Sequence, residues 1–230
     1  MLTLEALRIV QGDFSLRADW TLPAGITAVI GPSGAGKSTL LAAIAGFLAP
    51  ASGRILWDGR DLGPVAPGQR PVAMLFQDHN LFPHLTAAQN VALALTHRAR
   101  LTAEQTAQVT RALERTGLAG LGGRKPAHLS GGQQSRVALA RVLLQDRPLM
   151  LLDEPFSALG PALKAEMLDL VAELARETGA QVLMISHDPA DARRIAAHSV
   201  LVAEGVAHPP QATGALLDAP PPALRAYLGG

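Results

Sequence analysis

The 230-residue sequence contains no cysteine, which excludes a disulfide framework, thiolate-bound zinc or iron–sulfur clusters, and thiol catalysis. Aromatic residues are 3% of the chain, too few to stack the successive bases of a single-stranded nucleic acid. Charge of one sign is also missing: Lys+Arg 20 against Asp+Glu 19 leaves +1, so no basic field argues for a nucleic-acid partner. There is no long hydrophobic run. The uncharged stretch at residues 38–53 is interrupted by Gly46 and Pro50 and falls short of the ~20 apolar residues of a spanning helix. The N-terminus reaches Glu5 and Arg8 before any apolar run and shows no small-residue cleavage site, so no secretion signal is expected. Lysine is scarce, occurring only at positions 37, 125 and 164, so a lysine in a special place carries information. What remains is 48% hydrophobic and 17% charged, the composition of a folding chain and not of a disordered one.

Short apolar runs at residues 4–10, 14–20, 26–30, 53–57 and 72–76 read as strands, with a turn-like Gln11-Gly12-Asp13 between the first two. Helical spacing follows the Gly-rich residues 31–36, over residues 37–48. The middle of the chain is mostly helical, over residues 87–99, 102–116 and 133–145. Strand and helix then alternate: strand 149–152, helix 161–178, strand 181–185, helix 189–197, strand 199–203. That is the pattern of an α/β fold with a β-rich start and a helical insert. The tail from His208 is Pro-rich and too short for another domain.

Gly31, Pro32, Ser33, Gly34, Ala35, Gly36, Lys37 and Ser38 fit G-x-x-x-x-G-K-[ST]. Small residues let consecutive backbone N–H groups turn toward phosphate oxygens, the following helix offers its positive end, and lysine balances the β/γ charge. Ser38 would offer a hydroxyl to Mg²⁺, and Thr39 could reach the α-phosphate. With this composition the pattern would arise by accident roughly 0.002 times in such a chain. The apolar run at 149–152 ends in Asp153 and Glu154, placed where ligands sit in parallel sheets. Asp153 is positioned to hold Mg²⁺ through its water shell, and Glu154 to polarise a water toward a γ-phosphate. Ser130, Gly131, Gly132 and Gln133 open a helix as a second anion-binding pattern. Two cradles with a single phosphate loop suggest that each serves a different nucleotide across a two-fold dimer.

These motifs, with Gln77 and His187, occur in the order and approximate spacing of ATP-binding-cassette (ABC) transporter ATPases, which the chain resembles from Leu4 to about Val206. The resemblance implies a RecA-like P-loop core with an N-terminal antiparallel β subdomain and an inserted α-helical subdomain. In these terms residues 1–85 and 146–206 form the β subdomain and core, 86–145 the helical subdomain, and 207–230 a short tail. It implies ATP and Mg²⁺ as cofactors, with Ser38, Gln77 and Asp153 at the metal. Glu154 would be the catalytic carboxylate, His187 the γ-phosphate ligand that also holds Glu154's water, and Gln77 the contact to metal or attacking water. It also implies a head-to-tail homodimer around two ATP, with Ser130–Gln133 reaching the partner's nucleotide. A permease and a periplasmic binding protein would complete an importer on the cytoplasmic face of the bacterial inner membrane, the chain touching the membrane only through the permease. Residues 44–53 and 70–90 are similar to the ATPase subunits of thiamine/thiamine diphosphate importers. The alternatives are importers of another small solute, such as polyamine, iron or sulfate, and a low-turnover nucleotide-gated interaction protein. In the same resemblance Leu81, Phe82 and Leu85 belong to a groove for the permease. Three departures from the family pattern stand out. Gly160 replaces the Asp that ends the dimer-contact loop. No aromatic near residues 10–12 is available to stack on adenine, Phe14 reading as core strand. Ser135 replaces the usual Gln beside Arg136.

Overall fold

The computed structural model describes residues 1–96 and 100–228. The chain begins with β1 (Leu2–Gln11) and β2 (Phe14–Thr21), an antiparallel pair, and then β3 (Ile26–Ile30). After α1 (Lys37–Ala45) come β4 (Ser52–Trp57), β5 (Arg60–Asp61) and β6 (Val72–Leu75). Helices α2 (Ala87–Ala92), α3 (Ala103–Arg115) and α4 (Gly131–Leu144) form the insert. Then follow β7 (Leu149–Asp153), α5 (Pro161–Thr178), β8 (Gln181–Ile185), α6 (Pro189–Ile195) and β9 (His198–Ala203). The tail folds as β10 (Val206–Ala207), β11 (Gln211–Ala212), α7 (Thr213–Asp218) and α8 (Pro222–Leu228).

The strands join in the order β5-β4-β1-β2-β10-β9-β3-β8-β7-β6, with β11 on β9. From β9 to β6 all neighbours are parallel. Strands β3 and β8 are buried at every position, which is why their sequences are apolar without alternation, Thr27 and Gln181 excepted. One apolar cluster covers one face of the sheet through α4, α5 and the tail, with Leu152, Met167, Val171, Leu216 and Leu224 among its members. A second joins α1 to the β1–β2–β4 layer through Leu4, Ile9, Leu40, Ile44 and Ile55. A third lies within the insert, around Val91, Val109, Leu113 and Val137. Helix α4 belongs to both worlds: Ala138, Leu139 and Val142 enter the sheet cluster, while Val137 and Ala140 enter the insert's.

Several boundaries differ from expectation for identifiable reasons. Helix α1 stops at Ala45 and not at residue 48, because Gly46 takes a left-handed φ of 91° and its N–H returns to Ala42 and Ala43. The buried Arg70 guanidinium then donates to the Ala43 and Ile44 carbonyls, satisfying groups the helix end leaves without partners. Helix α2 ends at Ala92; residues 97–99 of the expected helix lie outside the described residues. Helix α4 starts at Gly131 because Ser130 and Gln133 form a reciprocal capping box. The tail adds two helices that sequence patterning did not suggest. They are held by Leu216, Leu217 and Leu224 in the sheet cluster.

Candidate nucleotide site

Register alone brings the motif residues to one level. In β3 and β8, Val29 pairs with Ile185; in β7 and β8, Asp153 pairs with Ile185; in β6 and β7, Leu75 pairs with Leu152. Gly31 follows Val29 by two positions, His187 follows Ile185 by two, Glu154 follows Asp153 by one, and Gln77 follows Leu75 by two. Four parallel strands thus deliver their chemistry at their carboxyl ends, the general ligand position of such sheets. A cavity of about 450 Å³ opens there, lined by Ser33, Gly34, Gly36, Lys37, Ser38, Thr39, Gln77, Glu154, His187 and Tyr227.

Two glycines make the loop possible. Gly31 has φ 146° and would place a Cβ 2.1 Å from the Val202 carbonyl oxygen, so only a residue without a side chain lets β3 turn there. Gly36 has φ 101°, and its missing Cβ makes room for Phe14, whose ring tip would otherwise lie 2.4 Å away. Phe14 is therefore only partly core: half-buried, it packs against the cluster beneath β1 and β2 and braces the phosphate loop from outside.

Lys37 is buried, and its ammonium donates to the carbonyls of Gly31 (2.7 Å) and Pro32 (2.8 Å). An ammonium has three donors, so one is left for a phosphate oxygen. Burial lowers the Lys37 pKa, opposed by the nearby charges of Glu154 and Asp153. Ser38 donates its hydroxyl to Asp153 Oδ1 at 3.1 Å. Burial pushes the Asp153 carboxyl above its ordinary value. The Ser38 hydrogen bond opposes this, the neighbouring charge of Glu154 adds to it, and Lys37 opposes it.

Among the described residues no cluster of three or more His, Cys, Asp or Glu side chains could cage a metal unaided. One carboxylate and one hydroxyl, touching beside a phosphate loop, instead fit an ion that keeps several waters and takes substrate phosphates as ligands, as Mg²⁺ does.

Glu154 is half-buried, and its backbone takes a left-handed φ of 47°, an uncommon conformation for a residue with a side chain. Its Oε1 meets His187 Nδ1 at 2.9 Å. The turn around His187 is braced on several sides. Ser186 donates to Asp191 at 2.5 Å, Asp188 caps α6 through the Ala190 N–H, and Lys164 bridges Asp188 and Asp191 at 2.8 Å each. Burial lowers the Lys164 pKa, but its bonds to the two carboxylates outweigh that, and the net shift is upward.

Ser130, Gly131, Gly132 and Gln133 do not line this cavity; they start α4 on the insert. Gly131 has open space around it, and Gly132 lets Leu163 of α5 approach, since a Cβ would lie 2.2 Å from Leu163 Cδ2. The two Gly-rich segments thus lie apart, one at the carboxyl end of the sheet and one at the head of α4.

Residues 17–157 match the family described as ABC transporter. The chain belongs to this family. Its full length aligns with the whole of the thiamine import ATP-binding protein ThiQ of Cereibacter sphaeroides at 66% identity, and with the protein of that name from Ruegeria sp. at 61%. Among solved structures, a dimeric ATP-binding cassette in a post-hydrolysis state, bound to ADP and Pi, superposes with a TM-score of 0.79. It is 26% identical, over 93% of this chain and 99% of that one. CbiO1 from Clostridium perfringens, part of a CbiONQ transporter complex, gives 0.82 at 28% identity, over 94% and 90%. The α/β cassette fold with a RecA-like core expected from the sequence is the fold observed, and as an ABC ATPase the protein binds and hydrolyses ATP.

Two of the departures from the family pattern, Ser135 and Gly160, have a structural basis. Ser135 is fully buried and donates to the Gly131 carbonyl at 3.1 Å. With its proton so engaged, the 2.9 Å contact to His79 Nε2 requires the hydrogen on that nitrogen, which also lies 3.2 Å from the Pro155 carbonyl. His79 therefore ties α4 to the residue after Glu154, filling the volume that a longer side chain at 135 would take. Arg141 holds this segment by donating to the His79 and Asn80 carbonyls. Arg136 pairs with Glu166 at 2.6 Å and caps the end of α3 through the Thr116 carbonyl, fastening α4 to both neighbours. Ser135→Gln is expected to overpack this junction and destabilise the protein by about 1–3 kcal/mol. At roughly 2–4 °C per kcal/mol for a chain of this size, thermal unfolding should show it, and His79→Ala in the same chain should recover part of the loss. An unchanged Tm would mean the junction has slack.

Gly160 caps α5 with φ −64° and ψ 156°, geometry any residue adopts, and a Cβ there would meet nothing within 4 Å. Gly160→Asp should fit without strain and add only a few tenths of a kcal/mol as a cap. The expected effect is on the rate or cooperativity of ATP hydrolysis, larger than any change in Tm. Unchanged kinetics beside a clear stability gain would make position 160 merely a helix cap.

Leu81, expected with Phe82 and Leu85 in a groove for the permease, is partly buried and packs against both the sheet cluster and the insert's, while Phe82 stays exposed. Tyr227 was missed altogether. It is the chain's single tyrosine, and that rarity was the one available signal.

Proposed function

We propose that the protein is the ATP-hydrolysing subunit of a bacterial importer of thiamine or thiamine diphosphate. The observation that carries the hydrolytic part is Glu154 Oε1 at 2.9 Å from His187 Nδ1, in a cavity also lined by Lys37, Ser38 and Gln77. The loop N–H groups of residues 31–39 and the N-terminus of α1 receive the phosphates, and Lys37 balances the charge that grows between the β- and γ-phosphates. Ser38 and Asp153, with Gln77 beside them, hold Mg²⁺, which when bound neutralises phosphate charge. Glu154 accepts a proton from the attacking water as its oxygen bonds to the γ-phosphorus and the bond to the β–γ bridging oxygen breaks. His187 holds Glu154 on one side and the γ-phosphate on the other. Ser130, Gly131, Gly132 and Gln133 close over the nucleotide of a second copy. That arrangement is supported by their distance from the chain's own cavity and by the dimeric cassettes among the structural neighbours.

The cargo is supported by the names of relatives up to 66% identical over their whole length. Among the described residues no helix is long and apolar enough to cross a membrane, which suits a subunit held at the inner membrane's cytoplasmic face by a permease. Exposed Phe47 and Phe82 are apolar side chains available to that contact. A periplasmic binding protein would deliver the solute. The test is uptake of labelled thiamine in cells lacking this chain. Loss of uptake, restored by the intact chain but not by Glu154→Gln, is expected. Normal thiamine uptake with loss of another solute's would overturn the cargo.

A further inference from the structure

The C-terminal helix reaches the nucleotide site. Helix α8 is anchored by Leu224, fully buried in the sheet cluster, and Tyr227 follows it by three positions, on the same side of the helix. From there the Tyr227 hydroxyl donates to the His187 carbonyl oxygen at 2.7 Å, and the ring lines the cavity beside Glu154 and His187. Among the described residues no other donor reaches this carbonyl. The rest of the turn is fastened from the far side, through Ser186, Asp188, Lys164 and Asp191. Tyr227 is its fastening on the cavity side. Burial raises the tyrosine's pKa, and the charges of Glu154 and Asp188 raise it further, so the hydroxyl keeps its proton and remains a donor.

We propose that Tyr227 is a positioning residue for ATP hydrolysis, its hydroxyl fixing the backbone of the turn that presents His187 to Glu154 and to the γ-phosphate. The inference rests on the reading of His187 given above. The hydroxyl acts through the backbone carbonyl of His187, whose side chain meets Glu154. Such a contact should influence the chemical step and leave the affinity for ATP to the phosphate loop.

Tyr227→Phe removes the hydroxyl and keeps the ring, so the helix anchor at Leu224 is untouched. Single-turnover hydrolysis, steady-state KM for ATP and thermal unfolding are measured on the full chain for Tyr227→Phe, His187→Ala and the double variant. The expected result is a rate lowered about three- to tenfold in Tyr227→Phe, the worth of one hydrogen bond, with KM unchanged and Tm lowered by no more than a few degrees. The double variant should hydrolyse no more slowly than His187→Ala alone. An unchanged rate in Tyr227→Phe, a rise in KM with the rate intact, or an equal further loss in the His187→Ala background would each overturn the role of Tyr227. A wild-type rate in His187→Ala would instead overturn the assignment of His187, so the two failures are distinguishable.

Discussion

Glu154→Gln is expected to bind ATP as the native chain does and to lose hydrolysis by about 10²-fold or more, the contribution of a positioned general base. The substitution keeps the shape and removes only the ability to take a proton. The left-handed turn at residue 154, with φ 47°, aims the side chain into the cavity whichever head group it carries. An amide can still hydrogen-bond His187, so neither Tm nor nucleotide affinity should change appreciably. If ATP binding draws two copies together and hydrolysis releases them, this variant should accumulate as a dimer in ATP and remain a monomer in ADP, read by sedimentation. Turnover within twofold of native would remove Glu154 from the role of base.

Lys37→Ala should fail at an earlier step. The Lys37 ammonium is fixed by the Gly31 and Pro32 carbonyls at the floor of the loop, close enough to Asp153 and Glu154 for their charges to act on it. Losing a charge-assisted bond to phosphate costs about 1.5–3 kcal/mol, or roughly 10- to 150-fold in the dissociation constant of ATP. The two variants therefore separate binding from chemistry: one raises Kd, the other lowers the rate at unchanged Kd. A Lys37→Ala chain that binds ATP normally would contradict the assignment of the loop.

The parts of the site legible in the sequence are those whose function is local. A phosphate loop is a run of eight residues between a strand and a helix, and an apolar strand ending in Asp153 and Glu154 announces its own carboxyl end. The sheet register that places Gly31, Gln77, Glu154 and His187 at one level is not local, yet it follows once each motif sits just beyond a strand. What stayed hidden depends on packing between distant segments. The bond of His79 to Ser135 spans 56 residues, and no periodicity reports it. The tail looked like a proline-rich end because α7 and α8 are six and seven residues long, too short for helical spacing to emerge. Pro222 reads as a breaker when it is the first residue of α8, where a missing N–H costs nothing. Phe14 was assigned to the core from its strand, whereas its contact with the loop is visible only through the Cβ that Gly36 lacks.

A working site is expected to take its phosphate loop from one copy and its Ser130–Gln133 segment from another. Mixing two inactive variants tests it directly. Lys37→Ala disables the loop and leaves the head of α4 intact. Ser130→Arg obstructs the head of α4 and leaves the loop intact. In a mixed dimer one site carries both defects and the other carries neither. At ATP concentrations below the raised dissociation constant of Lys37→Ala, ATPase activity is expected to reappear on mixing and to follow the fraction of mixed dimer, although each variant alone is inactive there. A mixture that stays as inactive as its components would mean that each chain completes its own site, contradicting a site shared between two copies.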